Sequence, residues 1–116
     1  MQFNIISLIQ TPFGMADNIL LVLGITEGRQ FPKRAHHQLL VEANFDAEHL
    51  CTDMIKHRDS PKFNTELAWE IDKKSLHQHR LQRTPLKVQV FSVEDSTMKK
   101  ELIGYCLLDL RSATVN

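Results

Sequence analysis

An all-β fold, built as an antiparallel sandwich, is what this 116-residue sequence predicts, and three observations carry the prediction. Three segments alternate apolar and polar side chains with a period of two, as half-buried strands do. Turn-forming residues separate the apolar segments, at Glu27-Gly28, Asp59-Ser60-Pro61 and Glu94-Asp95-Ser96-Thr97. The length supports one domain with a single core, since a chain of this size buries roughly two-thirds of its surface on folding. A sheet with one apolar face must cover it with another layer, so the strands are expected in two packed sheets.

The first alternating segment is Leu39 to Asp46, where Leu39, Val41, Ala43 and Phe45 face one way and Glu42, Asn44 and Asp46 the other. In the second, Phe63, Thr65, Leu67, Trp69 and Ile71 alternate with Asn64, Glu66, Ala68 and Glu70. The sole tryptophan falls on the apolar side, so core packing is its expected role. The third runs from Leu86 to Val90, directly after Pro85, a residue that suits a strand start. Ile19 to Ile25 and Leu102 to Leu110 are apolar on both faces and read as central strands. Alternation stops between Ile71 and Pro85. The polar stretch at 72–83 is therefore expected to be a crossover, helical for a turn or two or a loop.

Lysine and arginine number 14 against 14 aspartates and glutamates, a balance that makes no global case for nucleic acid or an anionic membrane as partner. Cys51 and Cys106 lie in apolar runs and are expected to pack as small hydrophobes in a reducing compartment. No run approaches the ~20 apolar residues that span a bilayer, and Met1 to Ile6 lacks the basic start of a secretory signal. A soluble intracellular chain is expected.

Three motifs, in order, resemble the landmarks of a C2 domain: Leu21 to Pro32 its opening strand and first loop, Ser60 to Ile71 its Asn-Pro-x-Trp-Asn-Glu-x-Phe-x-Phe signature, and Leu86 to Val93 with Leu102-Ile103-Gly104-Tyr105 its third loop and flanking strands. The resemblance implies a Greek-key sandwich over residues 18–116, preceded by an N-terminal extension at 1–17. The family pattern continues into two more strands after Asp109-Leu110-Arg111, so the resemblance implies a sandwich lacking its final strands, with neighbouring edges left unpaired. Phe3, Ile5, Ile6, Leu8 and Ile9 could form an added strand that covers part of this core; Met15 offers an alternative start. Glu27 to Arg34 and Thr65 to Pro85 are most similar to the first C2 domain of a centriolar scaffold. That likeness implies a role in centriole duplication and elongation, an address at the centrosome within the cytoplasm, and tubulin, microtubules or centriolar proteins as partners.

Calcium-binding C2 domains hold the ion with aspartates of the first and third loops, because Ca²⁺ takes six to eight oxygen ligands. Here the first loop carries Lys33 and Arg34, while the third has Ser92 and Glu94 where the aspartate pair belongs. Calcium binding is not expected, and no cofactor is. His36-His37 and His77-x-His79 do not by themselves place a tetrahedral ligand set, and solvated loop histidines are the simpler reading. Cys51 beside His49 or His57 is the one nucleophile to weigh, and a buried structural thiol is the expectation. Gly24-x-x-x-Gly28 has no following Lys-Ser or Lys-Thr, so it is not a phosphate loop.

Two basic clusters remain: Arg29, Lys33 and Arg34 in the first loop, and Lys73, Lys74, Arg80 and Arg83 in the crossover. Such charges are often only a solvated face. They would also suit acidic tubulin tails, or anionic lipid head groups. The expected function is a non-catalytic, calcium-independent protein-interaction module, with a calcium-independent phospholipid-binding domain of membrane trafficking as the alternative.

Overall fold

The computed structural model describes the backbone of residues 2–12, 18–29, 31, 33–110 and 114–115, and side chains for 19–28, 31 and 33–110. Among the described residues, nine strands and one helix follow in the order β1 (Gln2–Pro12), β2 (Asn18–Arg29), β3 (His37–Phe45), β4 (Glu48–Cys51), β5 (Ile55–Lys56), β6 (Lys62–Asp72), α1 (Lys73–Gln82), β7 (Pro85–Glu94), β8 (Lys100–Asp109) and β9 (Thr114–Val115). They form two sheets. One has the order β6-β2-β1-β9; the other has β4-β3-β7-β8, with β5 also on β3. Every pairing is antiparallel except the short β1–β9 contact.

Alternation explains the core. Leu39, Val41, Ala43 and Phe45 of β3 are all buried, as are Phe63, Leu67 and Trp69 of β6 and Leu86, Val88 and Val90 of β7. These side chains meet Leu21, Leu23 and Ile25 of β2 in one cluster between the sheets. Phe45 and Trp69 pack edge to face at 6.3 Å, joining the sheets at the end where α1 lies.

The turn expected at Glu27-Gly28 is instead strand. β2 runs on to Arg29, and the Gly28 N–H donates to the Pro61 carbonyl at 2.8 Å. Gly28 is required there for room, since a Cβ would come within 2.5 Å of the Phe31 ring. The Leu102 to Leu110 run also departs from expectation. β8 pairs with β7 alone among the described residues, and Leu102, Tyr105 and Leu107 are exposed on its outer face. Apolarity on both faces here marks an edge strand with an uncovered side. The crossover at 72–83 is a single ten-residue helix.

The apolar N-terminal segment forms a long strand. β1 pairs with β2 from Gln2↔Arg29 to Pro12↔Ile19, and Ile9 and Gln10 align with Thr114 and Val115 of β9. Residues 13–17, which hold Met15, lie outside the described part.

Candidate functional site

α1 is defined by its caps. Asp72 has extended backbone, and its side chain accepts from the Ser75 N–H at 2.7 Å, which satisfies one of the first-turn donors. That bond holds the Asp72 carboxyl below its ordinary value of 3.8. At the other end Arg83 adopts the left-handed region at φ 56°, and Arg83 and Thr84 return their N–H groups to the carbonyls of Arg80 and His79.

Only Leu76 of the helix is fully buried, and Leu81 stands 70% exposed. His79 supplies a second anchor, with Nδ1 2.9 Å from the Thr84 hydroxyl, Nε2 3.2 Å from Asp46 and its ring 5.1 Å from Phe45. The remaining surface is basic: Lys73 and Lys74 are exposed, Arg80 is half-buried and Arg83 is exposed at the cap. Nothing acidic lies between Lys73 and Gln82. Cations in a first turn oppose the helix dipole, which favours carboxylates there. Lys74 acts on the N-cap carboxylate of Asp72, but the helix dipole itself favours neither lysine.

The first-loop cluster behaves differently. Lys33 is exposed, whereas Arg34 turns inward: its guanidinium donates to Glu101 at 2.8 Å and to the buried Ser92 hydroxyl at 3.2 Å. The bond and charge of Arg34 hold the Glu101 carboxyl below its usual range. The Asp95 N–H donates to the His36 carbonyl at 2.9 Å, tying the same two loops by backbone. Arg34 thus crosslinks the first and third loops from a partly exposed position, held where Ser92 and Glu101 supply the oxygens. Arg29 ends β2, and its side chain lies outside the described part.

The two basic clusters do not converge. His37 of β3 faces Glu94 of β7 and Asn44 faces Lys87, so the first loop adjoins the C-terminal end of β7 while α1 enters its N-terminal end. A ten-residue strand puts roughly 30 Å between them.

Cys51 corrects an expectation: it is exposed on β4 and not a buried structural thiol. The apolar run around it ends in an edge strand, β4, which pairs with β3 alone among the described residues. The ring nitrogens of His49 contact Asn44 and Glu42, while His57 is buried against the Phe31 ring. Cys106 is half-buried, and burial pushes its thiol up. Among the described residues no group of three or more His, Cys, Asp or Glu is placed to hold a metal ion. Nor is any described helix long and apolar enough to cross a membrane. Sequence reasoning missed the buried carboxylate of Glu42, paired with Lys100 at 2.8 Å, because Glu42 sits on the polar side of its strand's alternation. Lys100 also lies 4.8 Å from the centre of the Phe91 ring.

Residues 20–116 match the family model described as C2 domain. Over 98 residues, 84% of the chain, the sequence is 60% identical to the centrosomal protein of 120 kDa from Bos taurus and from Homo sapiens. The chain spans about a tenth of the length of those relatives, 10% in each case. Among solved structures, a C2 domain of RIM from Drosophila superposes with a TM-score of 0.63 at 11% identity, covering 79% of this chain and 75% of that one. The calcium-bound pair of C2 domains of extended synaptotagmin 2 gives 0.60 at 14% identity, covering 79% and 34%. At those identities the likeness is one of fold.

Proposed function

The chain belongs to the C2 domain family, and from that premise we propose that it is a calcium-independent, non-catalytic interaction module of a centrosomal scaffold, in which α1 contacts an acidic partner. Tubulin and the microtubule surface fit that partner. The observation that carries this reading is the basic surface of α1, which holds no acidic residue and places Lys73 and Lys74 in a first turn that helix energetics would give to carboxylates. The identity to relatives named for the centrosome supports the address; a role in centriole duplication and elongation is part of the same proposal. Calcium independence is supported by Arg34, whose guanidinium already engages the oxygens that join the first and third loops. Of the two basic clusters, α1 is the better partner surface, because Arg34 is engaged within the fold while Lys73 and Lys74 stand exposed.

Co-sedimentation with microtubules, in parallel with anionic liposomes, tests the reading. Microtubule binding is expected, and Lys73→Glu, Lys74→Glu and Arg80→Glu together should weaken it by about tenfold or more, equivalent to ~1.4 kcal/mol. Rising salt should weaken it too, because exposed charges are screened. Binding to liposomes and not to microtubules would favour the phospholipid alternative and overturn this one.

A further inference from the structure

Among the described residues four strands stand at sheet edges, and three of them are guarded against further pairing. β4 is four residues long and exposes Glu48 and His49. β9 is two residues long. β6 exposes Lys62, Glu66, Glu70 and Asp72, leaves extended backbone at Asn64, where φ is 44°, and runs straight into α1. Short length, charge and local distortion are what keep an edge from recruiting another strand.

β8 is built differently. From Leu102 to Leu108 it holds no charge and no proline. Its one irregularity against β7 falls between Leu102 and Gly104, and from Gly104 to Asp109 the register is unbroken. Tyr105 and Leu107 stand 65% and 57% exposed on this half of the strand. A Cβ at Gly104 would have no neighbour within 4 Å, so the space beside it is open. The N–H and C=O groups along such an edge are met in kind by another extended strand.

The sequence of β8 fits itself as that strand. A two-fold axis perpendicular to the sheet sets two copies edge to edge and antiparallel, and keeps each face continuous. In the register centred on Cys106, Tyr105 of one copy stands opposite Leu107 of the other, which makes two apolar cross-strand pairs on the exposed face. The charges at the strand ends agree. Lys99 precedes the strand and Asp109 ends it, while Lys100 and Glu101 are engaged with Glu42 and Arg34. Antiparallel pairing points each acidic end toward the other copy's basic end, whereas parallel pairing would set like with like.

We propose that Gly104 to Asp109 of β8 is a self-association edge, through which two copies join their β4-β3-β7-β8 sheets into one continuous sheet. A dimer of this kind carries two copies of whatever surface each chain offers a partner, which raises avidity without a new contact.

Sedimentation velocity of the full chain over a range of concentrations tests the proposal, with amide hydrogen exchange followed at both ends of that range. A monomer–dimer equilibrium with Kd on the order of 10 µM is expected, since one strand edge makes a small interface. Amides at 104–108 should exchange more slowly above that concentration, and those of β4 and β6 should not change. Tyr105→Lys with Leu107→Lys should raise Kd by about tenfold or more, because each copy then sets lysines against the other's. Both side chains are exposed, so the variant should keep the parent's thermal midpoint at concentrations well below Kd. Should it melt earlier, Tyr105→Lys alone gives the reading. Glu66→Lys on the β6 edge should leave association as it is. A chain that stays monomeric to about 1 mM leaves the edge to a strand of a different protein and overturns the assignment to a second copy. A dimer indifferent to Tyr105→Lys, or one that slows exchange along β4 or β6 in place of β8, overturns it as well. Lys73, Lys74 and Arg80 are untouched in these variants, so the outcome is independent of microtubule binding.

Discussion

Arg34 is the residue whose role changes most between sequence and structure. In sequence it is one of several loop cations; in the fold it is the side chain that ties Ser92 and Glu101 to the first loop. A pH dependence follows. Glu101 is held below its ordinary value of 4.5 by Arg34, so above that value the folded state gains from the ionised carboxylate, and the gain is lost as pH falls through the depressed folded value. Glu94, lowered by the hydroxyls of Ser96 and Thr97, and Asp72, lowered by the Ser75 N–H, act in the same direction. Thermal melts from pH 6 down to 3 should show a falling midpoint, and Arg34→Gln, having less to lose, should fall less over the same range. A slope unchanged in the variant would mean that the ion pair contributes nothing measurable, a common outcome for exposed pairs.

Among the elements, α1 carries a conflict between local stability and charge placement. Its caps and the anchors Leu76 and His79 hold it, while Lys73 and Lys74 oppose its dipole. Reversing both to glutamate should stabilise the helix by about 0.3–1 kcal/mol per site while weakening microtubule binding. A raised thermal midpoint together with lost binding is the expected pair of results. Lost binding with a lowered midpoint would instead trace the effect to damaged structure. β8 is the other element whose sequence misleads, since a run apolar on both faces lies at a sheet edge with Tyr105 65% exposed. Hydrophobicity measures what a face could bury, not what lies against it.

For the whole molecule, the sheet that holds β2 is completed by the N-terminal segment. β1 lies between β2 and β9, so its removal strips β2 of its antiparallel partner on that side. Deleting residues 2–12 is expected to lower the thermal midpoint and increase aggregation, because an open edge beside a hydrophobic core recruits other chains. Unchanged melting and solubility would show β1 to be dispensable. This strand is paired into the same sheet as β2.

The sequence by itself determined the sandwich, the residues of its core and the family, because period-two alternation fixes which side chains a strand buries, and the motif order lies within one continuous chain. It also exposed the basic clusters, which are matters of residue identity. Tertiary structure alone decided that the clusters stand at opposite ends, that Arg34 is engaged within the fold, that Cys51 faces solvent and that β8 lies at a sheet edge. Those facts depend on pairs far apart in sequence, such as Arg34 with Glu101 and Asp46 with His79. Alternation says which face a side chain takes; only the pairing of strands says what it meets there.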